Sequence, residues 1–179
     1  MDTQKINIGV TYGLISGLVS VVFSVILYLG GVRLFVHPIA YLGYVLPITV
    51  AVLAGLKKRK TDGGFIDFAG GLKVAFTTFV IGTFISILFT YVLFNYIDVP
   101  FREALAQETA EKARQMMQNF GLGEADIEKA TEQMMDSNNF SLSKQLLGGA
   151  FSCILWFMIS VIIAAIIKKK KPEFTPPVQ

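Results

Sequence analysis

The residues able to do chemistry fall into three groups. Carboxylates crowd one segment: Glu103, Glu108, Glu111, Glu124, Asp126, Glu128, Glu132 and Asp136 all lie between Asp98 and Lys144. Two carboxylates held at different pKa values are the usual means of general acid and base catalysis. Here their spacing is that of solvated helix faces, which ordinarily carry such charges. Hydroxyls form the second group, with Ser16, Ser20, Ser24 and Ser86 inside apolar sequence. A serine nucleophile needs a base within hydrogen-bonding reach. The one histidine, His37, stands beside Pro38 in a turn, and the one cysteine, Cys153, sits in an apolar run. A single cysteine allows no internal disulfide and no cysteine-based metal site. No catalytic residue, cofactor site or metal site is therefore expected. The third group is cationic: Lys57, Lys58, Arg59 and Lys60, then Lys168, Lys169, Lys170 and Lys171. Runs of this kind beside apolar segments attract anionic lipid headgroups, and these eight residues are candidate anionic-lipid contacts.

The elements that must position these groups are set by composition. Hydrophobic residues make up 53% of the 179 and charged residues 16%, with mean hydropathy +0.57, where soluble domains carry about 25% charged residues. The deficit concentrates in four runs without Asp, Glu, Lys or Arg, at residues 6–32, 34–56, 74–97 and 145–167. Each is long enough for a helix to cross a hydrocarbon core about 30 Å thick. A soluble enzyme, a disulfide-rich secreted scaffold and a nucleic-acid binder are excluded as main readings. The first run is too long for a signal-peptide core and lacks a cleavage motif, so it reads as a span that stays.

The expected fold class is all-α, a four-span transmembrane helical bundle. Its spans lie at about 7–29, 38–56, 73–97 and 145–167, within one membrane domain of residues 1–171. Residues 172–179, with three prolines, read as a disordered tail. Ten of the sixteen basic residues fall on the side of the two termini and the central loop. By the positive-inside bias both termini are expected to be cytoplasmic. An extracytoplasmic amphipathic helical hairpin should then occupy about 98–143, with Phe101, Leu105, Ala113, Met116 and Phe120 along the first helix, which Gly121 stops. A second helix runs from about Glu124 to Asn138. The loop 61–73 is expected to turn back through Phe65 and Phe68, three apart, as a short interfacial helix.

Helices in lipid gain little by hiding apolar side chains from one another, so small residues that let backbones approach matter more. Gly9, Gly13 and Gly17 recur every fourth position, followed by Ser20 and Ser24. This stripe is the candidate helix-packing or partner face. Gly43, Pro47, Ala51 and Gly55 repeat the spacing in the second span, and Ala75, Thr78, Gly82, Ser86 and Thr90 nearly do so in the third.

Several stretches together resemble the bacterial membrane-protein family named Domain of Unknown Function 4199. They are GLISGLVSVVFSVILYLGG in the first span, the basic turn followed by GGFIDFAGGLKVAF, the exit YVLFNYIDVPF, and the ending IIAAIIKKKKPEF. Gly64, Phe68 and Lys73 are the most specific of these family-like positions. The resemblance implies a multi-pass protein of the bacterial cytoplasmic (inner) membrane with no catalytic residues assigned, and it hints at envelope assembly. The expected function is a non-enzymatic accessory or scaffold subunit whose partners are the lipid bilayer and another membrane protein or a second copy. The alternative is a small transporter or lipid-handling protein that uses the Ser/Thr stripes. A polar cavity reaching mid-bilayer would favour the alternative, and a closed glycine-lined bundle the scaffold.

Overall fold

A computed structural model describes residues 7–170. Lys5, Lys171 and the tail at 172–179 lie outside the described residues. The described chain forms seven α-helices: α1 (Ile8–Leu29), α2 (Val32–Phe35), α3 (Leu42–Thr61), α4 (Phe68–Val92), α5 (Val99–Asn119), α6 (Glu124–Met135) and α7 (Leu142–Ile167). Of these, α1, α3, α4 and α7 are long and apolar enough to cross a membrane. α1 and α3 each pack on α4, α7 packs on α3 and α4, and α1 also meets α3. Ile8 and Ile167 mark one end of the bundle, called here the basic end; α5 and α6 lie at the other.

The α1–α4 seam shows why the glycines are needed. A Cβ placed on Gly9 would meet Thr77 Cβ at 3.0 Å, one on Gly13 would meet Ile81 Cβ at 2.7 Å, and one on Gly17 would meet Ile85 Cδ1 at 2.6 Å. The constant offset means that two parallel helices run in register, with branched α4 side chains seated over successive α1 glycines. Thr78, fully buried, extends its hydroxyl to the Gly9 carbonyl at 3.3 Å across the seam, besides bonding Val74 O at 2.9 Å. Gly9, Gly13, Ser16 and Gly17 are all buried. The face expected to serve packing or a partner is thus occupied by α4 of the same chain.

Elsewhere the helices exceed the charge-free runs. α3 continues through the basic run to Thr61, whose cations sit in the last turn where the helix dipole favours them. α4 begins at Phe68, with Asp67 Oδ1 accepting from Gly70 N–H at 3.1 Å. The segment between α3 and α4 is a turn, and Phe65 and Phe68 form no separate interfacial helix. Asp67 caps the span instead, and Ile66 is held by backbone bonds to Lys169. The turn after α1 contains a one-turn helix, α2, and His37 accepts the Ile39 N–H at 3.2 Å to start the 3₁₀ turn Pro38–Tyr41.

Beyond α4 the chain makes a π-helical turn, Leu93–Ile97, then α5. α5 ends as expected at Gly121, whose positive φ of 74° allows Gly121 N–H and Leu122 N–H to return to Gln118 O and Met117 O. The buried face of α5 differs from the expected stripe. Leu105, Ala106 and Ala110 are buried, whereas Met116 and Phe120 are 58% and 76% exposed. α6 stops at Met135, before the expected Asn138, because Asp136 caps a separate 3₁₀ turn at Ser137–Phe140.

If α1 and α4 depend on backbone proximity, Gly13→Ala destabilises the bundle by roughly 1–3 kcal/mol through overpacking. Gly148→Ala, whose added Cβ meets nothing within 4 Å, does not. Unfolding in mixed micelles measures both, and equal losses would contradict the seam.

Candidate functional site

Toward the α5–α6 end the same small-residue stripes have the opposite effect. Near the basic end each α1 glycine receives a branched α4 side chain. One turn beyond Gly17 the small residues of all four spans face one another: Ser20 and Ser24 of α1, Gly43 and Pro47 of α3, Gly82, Ser86 and Thr90 of α4, and Ser152 of α7. Phe23, Leu27, Tyr44, Ile87 and Trp156 also line the space, and a half-open cavity of about 350 Å³ remains between the spans. Trp156, 8% exposed, stacks on Phe79 at 4.5 Å with an interplanar angle of 10°, and Tyr44 lies 6.3 Å from it. Trp156 also borders the cavity, as does Phe35 of α2.

The wall is weakly polar. Ser86, Thr90 and Ser152 donate to carbonyls four residues back at 3.0, 3.0 and 2.9 Å, as serine and threonine in helices commonly do. Pro47 has no N–H to give to the Gly43 carbonyl, so this wall carries an acceptor released from the helical ladder. No Asp, Glu, Lys, Arg or His lines the space. Such a cavity can hold an uncharged, mainly apolar group and offers it a few hydroxyls. It presents no group that could carry a proton or an ion. Ser16, one turn below Ser20 and 1% exposed, is the one buried side-chain polar atom without a partner among the described residues. A Cβ on Gly82 would lie 2.9 Å from its Oγ, so that glycine makes room for it.

Above the cavity, Tyr28, Phe35, Phe89, Leu93, Phe94, Phe101, Leu105 and Phe140 form a second apolar core. Phe101 sits edge-on to Tyr28 at 4.8 Å and Phe140 edge-on to Phe94 at 5.6 Å. The polar edge of this core joins separate helices. Asn95, inside the π turn, donates to Tyr91 O and Phe140 O at 2.9 Å each and accepts from Arg102 at 3.2 Å. Gln145 bridges Phe140 O and Thr90 at 2.8 and 2.9 Å. Tyr28 donates its hydroxyl to Asp98 at 2.7 Å, and Asp98 also accepts the Phe101 N–H at 2.9 Å to cap α5. The Tyr28 hydroxyl, with the Phe101 amide, holds the Asp98 carboxyl below its ordinary pKa. A larger surface groove, about 560 Å³, lies between α2, α5 and α6, but its Arg33 and Arg114 are matched by Glu108 and Glu111. Opposed charges in a solvent-facing groove select no particular ligand.

Of the residues singled out by sequence, Gly9, Gly13 and Gly17 lie in the seam, and Ser20 and Ser24 line the cavity. Gly64 (φ 91°) forms the turn after α3 and returns its N–H to Arg59 O at 2.9 Å. Phe68 opens α4 and Lys73 follows on it, both exposed. The two basic runs are brought together at one end. Ile66 and Lys169 exchange backbone bonds of 3.0 and 2.8 Å, and Arg59 donates to Ile167 O at 3.4 Å. Trp156 breaks the small-residue spacing Gly148, Ser152, Ser160 and Ala164 of α7 and is buried against Phe79. The Tyr28–Asp98 and Ile66–Lys169 pairs carry no signal in the sequence, because their partners lie far apart along the chain.

Four apolar spanning helices and a charge-poor interior define a multi-pass membrane protein built as a helical bundle. Residues 11–169 match the family model described as Protein of unknown function (DUF4199), and the chain belongs to that family. No curated protein and no solved structure matches it.

Because the Asp98 pKa is lowered on folding, its contribution to stability is present above the ordinary carboxylate range. It is lost as pH falls through the depressed folded-state value. The protection factor of the Phe101 amide, its exchange relative to the intrinsic rate at the same pH, should therefore fall on acidification in the native protein. In Asp98→Ala, which removes the acceptor, protection should be lower at neutral pH and insensitive to acid; an unchanged acid response in that variant would assign the effect elsewhere.

Proposed function

We propose that this protein is a non-enzymatic lipid-handling protein of the bacterial cytoplasmic membrane. Its cavity takes the hydrocarbon chain of a membrane lipid, and its basic end faces the cytoplasm. The observation that carries the reading is the cavity of about 350 Å³ among four spans, mainly apolar with a few hydroxyls and without Asp, Glu, Lys, Arg or His in its lining. Charge-free walls suit an acyl chain and leave nothing to couple transport to protons or ions, which ordinarily requires an intramembrane ionisable group. The orientation rests on the positive-inside bias of the basic runs. The α5–α6 pair and its aromatic core then stand over the cavity on the far side of the membrane, where a lipid of that leaflet would meet them. The α1 glycine stripe, a candidate partner face in an accessory-scaffold role, packs on α4 of the same chain.

Trp156 is the protein's one tryptophan and borders the cavity, so it reports directly on occupancy. In vesicles of phosphatidylcholine brominated deep in the acyl chain, its fluorescence should be strongly quenched. Ser24→Phe or Ser152→Leu, which fill the cavity, should reduce the quenching at least twofold while the protein stays monodisperse. Weak quenching in the wild type, or equal quenching in the filled variants, would defeat the proposal.

A further inference from the structure

We infer that the two basic runs form one composite site for the phosphate of an anionic phospholipid headgroup in the leaflet at the basic end. The runs are separated by more than a hundred residues of sequence, yet they end beside one another, because Ile66, in the turn that follows the first run, pairs through its backbone with Lys169 of the second. Ile66 N–H donates to Lys169 O at 3.0 Å and Lys169 N–H to Ile66 O at 2.8 Å, forming an isolated antiparallel bridge. Arg59 reinforces it by donating to Ile167 O, one of the carbonyls at the end of α7 that its helix leaves unpaired. Lys169 Nζ lies 5.8 Å from the Phe65 ring centroid, a cation–π distance.

These contacts separate structural cations from available ones. Arg59 and Lys169 hold the site together, and Lys58 is neutralised by Asp62 at 2.7 Å. Within the two runs, four described cations make no side-chain hydrogen bond, ion pair or cation–π contact: Lys57 and Lys60 on the last turns of α3, Lys168 and Lys170 on the segment that leaves α7. All four are exposed. Residues three apart on a helix share a face, and residues two apart on an extended segment share a face. Each run therefore presents a pair, and the bridge places the pairs on neighbouring chain ends. The acids facing them are already engaged, Asp62 with Lys58 and Asp67 with the α4 N-terminus. Phe68, 41% exposed at the start of α4, gives the same end an apolar footing in the membrane interface. Charge complementarity at headgroup level favours an anionic phospholipid, which brings its phosphate to this depth already anchored.

A composite site makes a prediction that mere positive charge does not. One cation near an anionic surface is worth roughly fivefold in affinity, and independent charges multiply their effects. In one shared site, losing either pair removes most of the binding, and losing both costs little more. Full-length protein in neutral detergent would be titrated with phosphatidylglycerol and with phosphatidylcholine, and bound lipid counted by native mass spectrometry. The wild type should prefer phosphatidylglycerol. Lys57→Gln/Lys60→Gln and Lys168→Gln/Lys170→Gln should each abolish most of that preference, and the quadruple variant should resemble either double. Lys129→Gln/Lys144→Gln, which removes the same charge at the opposite end, should bind as the wild type does. All four variants alter exposed side chains, so fold is monitored by circular dichroism and monodispersity. Purely multiplicative effects of the two pairs, equal loss in the opposite-end control, or no preference in the wild type would each overturn the composite site.

Discussion

The structure depends on how closely two backbones can approach where no water is present to drive them together. In a bilayer the lipid chains are as apolar as leucine, so helix association rests on packing and interhelical bonds. α1 meets that constraint with glycine at every fourth position, and α4 meets it with Thr77, Ile81 and Ile85 in the same register. The buried Thr78 hydroxyl, shared between its own helix and the Gly9 carbonyl, adds the one side-chain hydrogen bond that crosses the seam among the described residues. At the other face of α4 the start of the helix comes close to α7: a Cβ on Gly71 would lie 3.3 Å from Ala164 Cα. The basic half of the bundle is thus fixed by small residues opposed to large ones or to another backbone.

The cavity follows from the same rule applied without the large partner. Alongside the glycines, Ser16, Ser20 and Ser24 keep the same spacing of four, and beyond Gly17 the last two share the cavity wall with Gly82 and Ser86 of α4, Gly43 of α3 and Ser152 of α7. The larger side chains there, Phe23 against Gly43 and Ile87 against Gly149, border the space without filling it. The stacked Phe79–Trp156 pair belongs to the main core with Ala51, Ala75 and Ile163, and so marks where dense packing gives way to the cavity. Above, the chain cannot continue as plain α-helix, because α4 must hand over to α5 within the aromatic core. The π turn at Leu93–Ile97 absorbs that change, with Asp98 N–H returning to Leu93 O at 2.8 Å. It also turns Asn95 toward Phe140 and Arg102, and π turns often occur where a helix carries more than a structural load.

The spans, their small-residue stripes and the family were legible in the sequence because each is written in local composition and in a spacing of four. The same stripe does not reveal what lies across from it, so Gly13 and Ser20 looked alike in the sequence while one is sealed and the other lines a void. The α5 face was misjudged for a related reason. Helical spacing selected Met116 and Phe120, but the partner, α2 with the end of α4, is short and ends before that part of α5. The convergence of the basic runs was hidden because it rests on backbone groups of Ile66 and Lys169, whose side chains give no hint of pairing.

The two ends of the bundle therefore do different physical work. At the basic end α3, α4 and α7 are held by backbone bonds, close glycine contacts and the Arg59 contact with the α7 terminus. At the other end they are held by aromatic edges and by amide and carboxyl side chains, with the packing between them left incomplete. A bundle rigid at one end and loosely filled at the other can admit a guest chain from one side without parting its seam. The filled half needs no change for that to happen. The glycine stripe and the serine stripe of α1, side by side in sequence, thus meet different surroundings, the glycines a packed seam with α4 and Ser20 and Ser24 a space left incompletely filled.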